Sequence, residues 1–356
     1  MEKLKKIKPV QDKKKKSIQS QVKKQPQSIV VVGASAGGLN ALCEMVEHLQ
    51  KGLNTAYCIV LHLSRKGIGD FVVQTIAKVT TMPCSLAKDG DLLQRDHIYV
   101  ARPNQHLLVK DGKILLGAGP EENRWRPSID VLFRSAAVAY TSNTIGIILS
   151  GLLDDGTSGM WAIKRSGGTC IVQDPNEAEY PDMPVSVINH MEVDHTLLLA
   201  DIGAAIADIA SKAKSKMKSA PKDVIAESRI AEKTAAGIEH MDRLSVDHSG
   251  YSCPDCGGSL WGVKGDVIKR YRCHIGHAYT ERDLSLKQAE TAGATLWVAL
   301  RMMEERKHLL RKIEVDSTKR GYKGMAAKNV EKQDELNRHI DKLKEILFDL
   351  QSQNTA

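Results

Sequence analysis

The chain has 356 residues, of which 42% are hydrophobic, so it can bury one substantial core and has room for smaller modules. No apolar run approaches the roughly 18 residues of a membrane-spanning helix, and the lysine-rich N-terminus lacks the apolar segment of a signal peptide. We therefore expect a cytoplasmic protein without membrane insertion, in which the seven cysteines remain thiols.

The net charge of +8 lies entirely in the first 27 residues, which hold ten lysines and two acidic residues. The charges of residues 28–356 balance to zero, so we expect no basic face for nucleic acid. We interpret residues 1–27 as a disordered lysine-rich arm. Weak contact of this arm with an anionic surface is the alternative.

The first buried element is a short β-strand that ends in a glycine-rich turn. Residues 29–32 favour a strand, and residues 33–37 match G-x-S-x-G, the nucleophile-elbow pattern, with Ser35 at its centre. Apolar residues at helical spacing predict a helix over 39–50. The serine hydroxyl would then lie beside a helix N-terminus, whose free N–H groups can stabilise an oxyanion.

Two other interpretations of this turn are open. The glycines could simply let the helix pack closely on the strand, or the turn could be an altered dinucleotide-binding fingerprint. Gly33, Ser35 and Gly38 occupy the three glycine positions of G-x-G-x-x-G, but the middle glycine is missing. His62 stands where an acidic residue would bind the ribose, which disfavours a nucleotide.

Strands and helices alternate along the chain up to residue 212. We predict strands at 56–61, 84–87, 144–149 and 169–173, and helices at 71–78, 129–139, around 160–164, around 185–189 and at 201–212. Residues 90–114 are typical of a β-meander with a hairpin turn at Asp111 and Gly112. Apolar strands alternating with helices indicate an α/β fold, with a doubly wound, mostly parallel sheet in a Rossmann-like three-layer arrangement.

Three polar residues follow predicted strands directly: Ser35 follows the first, His62 the second, and Asp155 the strand at 144–149. Because the carboxyl ends of parallel strands share one edge of a sheet, these side chains can converge there. A serine nucleophile, a histidine base and a carboxylate that fixes the imidazole tautomer would form a catalytic triad. Asp154 is an ambiguous neighbour of Asp155, since Asp-Gly is also common in turns.

A Cys/His-rich segment at 251–283 follows a lysine-, alanine- and serine-rich linker at 208–250. Its ligand spacing, C-x2-C-x16-C-x3-H, is formed by Cys253, Cys256, Cys273 and His277 and is typical of a zinc ribbon. His274 is the competing fourth ligand, and a metal-free thiol cluster is the alternative. Four protein ligands would close the site, so we expect a structural zinc and no metal catalysis.

Residues 284–352 are predicted to form an α-helical hairpin that is broken near residues 321–324. Apolar residues repeat at coiled-coil spacing along its second helix, at Leu336, Ile340, Leu343, Leu347 and Leu350. This stripe could be buried within the hairpin, against the catalytic domain, or in a partner. The partner could be a second copy of this chain, in which case the helices would mediate self-association.

Residues 28–207 resemble the catalytic domain of the chemotaxis protein-glutamate methylesterases (CheB type). The resemblance rests on six motifs in order: GASAGG around Ser35, LHLS around His62, ARPNQH at 101–106, RPSIDVLFRSAA at 126–137, ILSGLLDDGTSGM at 148–160 and DMP at 182–184. It implies that Ser35 is the nucleophile, His62 the base and Asp155 the orienting acid. It also implies that candidate residues for the oxyanion and substrate are Ala36, Leu152 and Met183.

The implied reaction is hydrolysis of glutamyl γ-methyl esters on chemoreceptor-like signalling proteins, with deamidation of glutamine as a related activity and no catalytic cofactor. A non-catalytic scaffold that binds helical partners through the C-terminal modules is the alternative function. The chain departs from the family at 151–156, where GLLDDG replaces GMGNDG. Residues 1–27 are also too few for the receiver domain that many members carry, so we expect no control by an attached receiver.

Overall fold

The structure is a computed structural model that describes residues 25–62, 69–213, 219–232 and 246–353. Most of the predicted lysine-rich arm and two parts of the predicted linker lie outside the described residues. The chain divides into two units, residues 1–283 and residues 284–356. The first unit therefore includes both the predicted catalytic domain and the Cys/His segment.

The first unit is built on a seven-stranded sheet in which all neighbouring strands are parallel. Its strands are β1 (Ser28–Ala34), β2 (Thr55–Leu61), β3 (Cys84–Leu86), β4 (Ile98–Val100), β7 (Thr144–Ile148), β8 (Thr169–Gln173) and β9 (His195–Leu197). Their order is β3-β4-β2-β1-β7-β8-β9. The central strands β1 and β2 are buried along their whole length, as their continuous apolar runs predict.

Helices cover both faces of this sheet. They are α1 (Gly38–Glu47), α2 (Gly69–Val79), α3 (Ile129–Tyr140), α4 (Thr157–Arg165), α5 (Asp182–His190), α6 (Leu199–Ser211) and α7 (Lys222–Ala231). One apolar core lies under α1, α2 and α6, and the other under α3, α4 and α5. The predicted doubly wound α/β fold is therefore confirmed.

The predicted β-meander at 90–114 is wrong in part. Only β5 (His106–Lys110) and β6 (Lys113–Gly117) form an antiparallel hairpin, around the predicted turn. Strand β4 instead pairs in parallel with β2 and β3 in the main sheet. A pattern of short apolar runs identifies strands but not their partners, and β4 is fully buried, as a strand of the central sheet requires.

The Cys/His segment forms a second, antiparallel sheet in the same unit. Its four strands, in spatial order, are β10 (Val246–Ser252), β11 (Ser259–Val263), β12 (Arg270–Cys273) and β13 (Ala278–Thr280). Residues 251–283, which include the last three of these strands, are called the Cys/His module below.

The C-terminal hairpin consists of α8 (Glu281–Lys319) and α9 (Lys323–Gln353), and it turns at Gly321, whose φ is +79°. Its buried apolar cluster is formed by Leu300, Ile340 and Leu347, flanked by Leu296, Met303, Leu336 and Leu343. Four of the five predicted stripe residues are thus packed within the hairpin, and Leu350 is not part of this cluster. Among the described residues, no helix is long and apolar enough to cross a membrane; the cytoplasmic location stays a prediction.

Gly33 allows the start of α3 to lie against β1, because a Cβ at this position would be 2.4 Å from Ile129 Cγ2. We expect Gly33→Ala to lower the free energy of unfolding by about 1–3 kcal/mol, since the overpacked helix has to shift. Gly262→Ala is the matched control in β11, where the nearest atom to a new Cβ would be Asp247 O at 3.8 Å. Urea denaturation followed by circular dichroism measures both; equal effects would contradict the prediction.

Candidate active site

Ser35 lies in a tight turn immediately after β1. Its backbone N–H donates to Ser150 O at 3.0 Å, and its carbonyl accepts from the N–H of Gly38 at 2.9 Å. Gly37 has a φ of +68°, in the left-handed region that glycine adopts without steric cost. The turn is therefore fixed on one side to the chain that follows β7 and on the other to the start of α1.

His62 follows β2, the strand next to β1, and its backbone N–H donates to Ala34 O at 3.0 Å. Its ring stacks on Trp125, with centroids 4.3 Å apart and planes 8° from parallel. Nδ1 lies 3.3 Å from Ser35 Oγ, and Nε2 lies 2.9 Å from Asp155 Oδ2. The three residues predicted at the strand ends are thus brought together in the arrangement of a triad.

The carboxylate of Asp155 lies at the N-terminus of α3. Oδ2 accepts from the backbone N–H of Ile129 at 2.8 Å, and Oδ1 accepts from that of Asp130 at 3.2 Å. Oδ1 also accepts from Ser128 Oγ at 3.0 Å and from Asn123 Nδ2 at 2.8 Å. Ser128 stands at the cap position but makes no side-chain cap bond. Asp155 therefore provides the acceptor that this helix start needs.

These donors determine the charge of Asp155. Burial alone would raise its pKa, but the hydrogen bond and charge of His62, with hydrogen bonds from Asn123 and Ile129, lower the pKa overall. An ionised Asp155 favours the tautomer with the proton on His62 Nε2, which leaves Nδ1 free to accept the proton of Ser35. Burial and the negative charge of Asp155 raise the pKa of the neighbouring Asp130 to about 7.

The three predicted oxyanion and substrate residues lie in different settings. Among the described residues, none accepts a hydrogen bond from the backbone N–H of Ala36 or of Leu152. Ala36 follows Ser35 directly in the chain, and Leu152 follows Gly151, where an added Cβ would lie 2.8 Å from Ser35 Cβ. The backbone N–H of Met183 donates to Gly151 O at 3.0 Å, so it is not a free donor. The Met183 side chain is fully buried against Gly151.

The two unusual residues of the loop after β7 have separate structural consequences. Leu153 adopts a φ of +67°, so the left-handed turn that a glycine would favour is kept by a leucine. Asp154 is 7% exposed and accepts from the hydroxyl of Thr280 in β13 at 3.0 Å. The Cys/His module, to which Thr280 belongs, therefore covers Asp154.

Sequence reasoning missed three residues around the triad: Asn123, Trp125 and Ser128. They lie in the loop that precedes α3, where no hydrophobic period marks a position. Only Ser128 offers a signal in the sequence, because a serine directly before a helix is a common cap residue. In the structure its hydroxyl donates to Asp155 instead. The other two could have been found only from their three-dimensional contacts.

The predicted metal ligands lie together in the Cys/His module. Four ligand atoms, one from each residue, lie within 4.8 Å of one another; the residues are Cys253, Cys256, Cys273 and His277. The competing His274 packs against Gly258, where its Cε1 would be 2.6 Å from an added Cβ. The arrangement is compatible with a structural metal ion at these four residues.

Asp154 and Asp283 share the Thr280 hydroxyl, which lies 3.0 Å from Asp154 Oδ1 and 3.0 Å from Asp283 Oδ2. This hydroxyl has a single proton to donate, so a protonated Asp283 completes the set by donating to Thr280. Burial and the charge of Asp154 raise the pKa of Asp283 to about 8, in agreement with that arrangement.

The native state therefore holds a proton on Asp283 that an unfolded chain, with a carboxyl pKa of about 4, releases. Stability should fall as the pH rises from about 4 to 8, because ionising the buried carboxyl becomes a cost of folding. Asp283→Asn stays neutral, so we expect it to raise the melting temperature by about 3–8 °C at pH 8.5. The gain should shrink towards pH 5. Calorimetry across this range tests it, and parallel wild-type and variant profiles would refute it.

Comparison with known proteins identifies the family of the chain. A family model described as CheB methylesterase matches residues 30–206. A putative protein-glutamate methylesterase/protein-glutamine glutaminase of Leptospira interrogans is 37% identical over 174 residues, which cover 49% of this chain and 90% of that protein. A protein-glutamate methylesterase/protein-glutamine glutaminase of Sulfurimonas denitrificans is 33% identical over 190 residues, covering 52% of this chain and 53% of that protein.

Among solved structures, the crystal structure of the Thermotoga maritima CheB methylesterase catalytic domain is 29% identical, with a TM-score of 0.49, and covers 51% of this chain and 98% of that one. The present chain thus spans nearly all of the Leptospira relative but about half of the Sulfurimonas one. These sequence matches confirm the resemblance that the six motifs indicate. The chain belongs to the CheB methylesterase family.

Proposed function

We propose that this protein hydrolyses glutamyl γ-methyl esters on the helical signalling segments of methylated chemoreceptor-like proteins. The alignment of Ser35 Oγ, the His62 ring and the Asp155 carboxylate, with separations of 3.3 and 2.9 Å, carries the proposal. The names of the relatives from Leptospira interrogans and Sulfurimonas denitrificans describe this activity and protein-glutamine glutaminase activity for those proteins.

The reaction begins when Ser35 Oγ attacks the ester carbonyl carbon and its proton moves to His62 Nδ1. His62 then donates this proton to the methoxy oxygen, so methanol leaves and the glutamyl group remains as an ester on Ser35. A water molecule, deprotonated by the same nitrogen, then attacks that ester. His62 passes the proton to Ser35 Oγ as the bond to serine breaks, and the released glutamic acid side chain ionises in water. With a glutamine γ-amide the leaving group is ammonia, which accounts for deamidation by the same residues.

Each charge that develops in this reaction has a group to stabilise it. Asp155 stabilises the imidazolium of His62 and holds the ring in place through Nε2. The tetrahedral oxyanion would accept hydrogen bonds from the backbone N–H groups of Ala36 and Leu152, close to the N-terminus of α1. Main-chain donors persist when side chains change, so the departure of residues 151–156 from the family pattern is compatible with this role.

The surface beside Ser35 suits an amphipathic helical substrate. Leu152 is 49% exposed and Tyr180 is 37% exposed. The N–H of Gly151 donates to Tyr180 O at 2.9 Å, which holds the two side chains beside the same loop. Exposed apolar side chains of this kind can contact the apolar face of a substrate helix while its glutamyl side chain enters the cleft.

Ser35→Ala should lower kcat for methanol release by about 10⁴-fold or more, because the nucleophile is removed. Ser211→Ala, at the exposed end of α6, is the matched control and should retain wild-type activity. The measurement is methanol production from a methylated receptor signalling domain. Equal release by wild type and Ser35→Ala would contradict the hydrolase and favour a scaffold.

Asp155→Asn should lower kcat by up to about 10⁴-fold, because an amide can hold the wrong imidazole tautomer. The fold-decrease in kcat should exceed any fold-change in KM, since Asp155 does not contact the substrate. Asp208→Asn, at an exposed site on α6, controls for removal of a surface carboxylate. Wild-type kcat in Asp155→Asn would remove Asp155 from the proposed triad.

We infer further that the Cys/His module binds one structural Zn²⁺. In a tetrahedral site with Zn–S of about 2.3 Å and Zn–N of about 2.0 Å, two sulfurs lie about 3.7 Å apart and a sulfur and a nitrogen about 3.5 Å apart. Cys256 Sγ lies 3.7 Å from Cys273 Sγ. His277 Nδ1 lies 3.5 Å from Cys273 Sγ and 3.7 Å from Cys253 Sγ. These separations support a tetrahedral site of three thiolates and one imidazole.

Metal analysis of the purified full chain should find one zinc per molecule, and Cys253→Ser should lose it. Cys43→Ser is the matched control, because Cys43 lies on α1 outside the cluster and its loss should leave the zinc content unchanged. A wild-type protein purified without chelators that contains no zinc would overturn the assignment.

A further inference from the structure

The Cys/His module is joined to the active-site loop by backbone hydrogen bonds. The loop of residues 119–128 is called the Asn123 loop here. The N–H of Asn123 donates to Ala278 O at 2.8 Å, and the N–H of Ala278 donates to Glu121 O at 3.4 Å. Ala278 follows the zinc ligand His277 directly. The first residue after the metal site is therefore paired with the loop that precedes α3.

Buried ion pairs hold the same two segments together. Glu122, in the Asn123 loop, pairs with Arg134 of α3, and its Oε1 lies 2.9 Å from Arg272 Nη1 of β12. Glu227 of α7 accepts from Arg270 Nη2, also of β12, at 2.7 Å. The members of this ion cluster, Glu122, Arg134, Glu227, Arg270 and Arg272, are all buried. Because each buried charge needs its partner, the module fits the domain in one position only.

Asn123 links the docked Cys/His module to the triad. Its side chain is 1% exposed, and Nδ2 donates to Asp155 Oδ1 and to Asp130 Oδ2, both at 2.8 Å. Two residues further on, Trp125 stacks on His62. One short loop thus contacts the module through its backbone and contacts both the base and the acid through its side chains.

The Cys/His module has too few buried apolar side chains to form a hydrophobic core of its own. Its buried apolar side chains are Cys253, Leu260, Cys273, Ala278 and Tyr279, and two of these are zinc ligands. Segments of this size without a hydrophobic core depend on a metal for a stable fold. Without the ion, the strand that carries Ala278 would lose the support of His277.

We propose that zinc bound in the Cys/His module sets the rate of the hydrolase, because it keeps Ala278 docked on Asn123 and so keeps Asp155 in position for His62. This inference rests on the proposed function, and it goes beyond a structural zinc. Zinc here acts from outside the cleft without contact to substrate, and Asn123 is a positioning residue that acts through Asp155.

The first experiment removes zinc from the full-length wild type with a chelator and then restores it with Zn²⁺. We expect kcat for methanol release to fall by about 10- to 100-fold with KM changed less than about twofold, and to recover with zinc. Hydrogen–deuterium exchange of residues 119–130 should become faster in the zinc-free protein. Unchanged kcat, or unchanged exchange in this loop, would overturn the proposal.

The second experiment uses Asn123→Ala, which leaves all four zinc ligands in place. We expect one bound zinc, a kcat lowered by about 10- to 100-fold, and a shifted pH profile of kcat because Asp155 has lost a donor. Chelation should then cause little further loss of kcat, since the route through Asn123 is already broken. Asn189→Ala, at an exposed position on α5, is the control and should behave as wild type.

The two experiments separate this proposal from the proposed function. A zinc-loaded wild type that releases no methanol contradicts the hydrolase, while the exchange of residues 119–130 still tests the zinc-dependent docking. A wild type that hydrolyses equally with and without zinc contradicts the inference alone. Should zinc removal unfold the whole first unit, an Asn123→Ala variant with wild-type kcat and pH profile would overturn it.

Discussion

The buried carboxylate of Asp155 is the constraint on which the site depends. It needs hydrogen-bond donors to remain charged away from water, and the start of α3 needs an acceptor for its free N–H groups. Each satisfies the other, and the arrangement leaves Oδ2 within 2.9 Å of His62 Nε2. The same carboxylate therefore fixes the start of α3 against the sheet and orients the ring of His62. Gly33 makes this packing possible, because only a residue without Cβ lets Ile129 approach β1 so closely.

The sequence was sufficient to predict the positions of Ser35, His62 and Asp155, because apolar runs mark where strands end and parallel strands end at one edge. It was not sufficient for Asn123 and Trp125. Their loop has no hydrophobic period, and their roles follow from contacts with residues distant in the chain. The predicted pairing of the strand at 98–100 was wrong for a related reason. The apolar pattern identifies the strand correctly, but only the fold determines that its partners are β2 and β3.

Composition predicts a Cys/His module at 251–283, and in the structure this module lies in the same compact unit as the α/β sheet, residues 1–283. The ligand spacing is visible in the sequence because zinc fixes which residue types can bind it and how far apart they lie. The docking of the module on the α/β sheet cannot be predicted from the sequence. It depends on glutamate and arginine side chains, which normally lie in solvent: Glu122, Glu227, Arg270 and Arg272. Asp154 shows the same difficulty, because its partner Thr280 lies in β13, which is more than 120 residues further along the chain.

The ion pairs and the proposed zinc would make different contributions to this docking. Desolvating five charged side chains offsets most of the energy gained by pairing them, so the ion cluster adds little net stability. It adds orientation, because a displacement of β12 would separate Arg272 from Glu122 and Arg270 from Glu227. In the proposal, zinc would supply what the ion cluster cannot, a stable fold for the short strands that carry the arginines. The ion cluster and the metal would then act together to keep Ala278 against Asn123. The constraint on Asp155 would in that case extend from the sheet edge to a metal site outside the cleft.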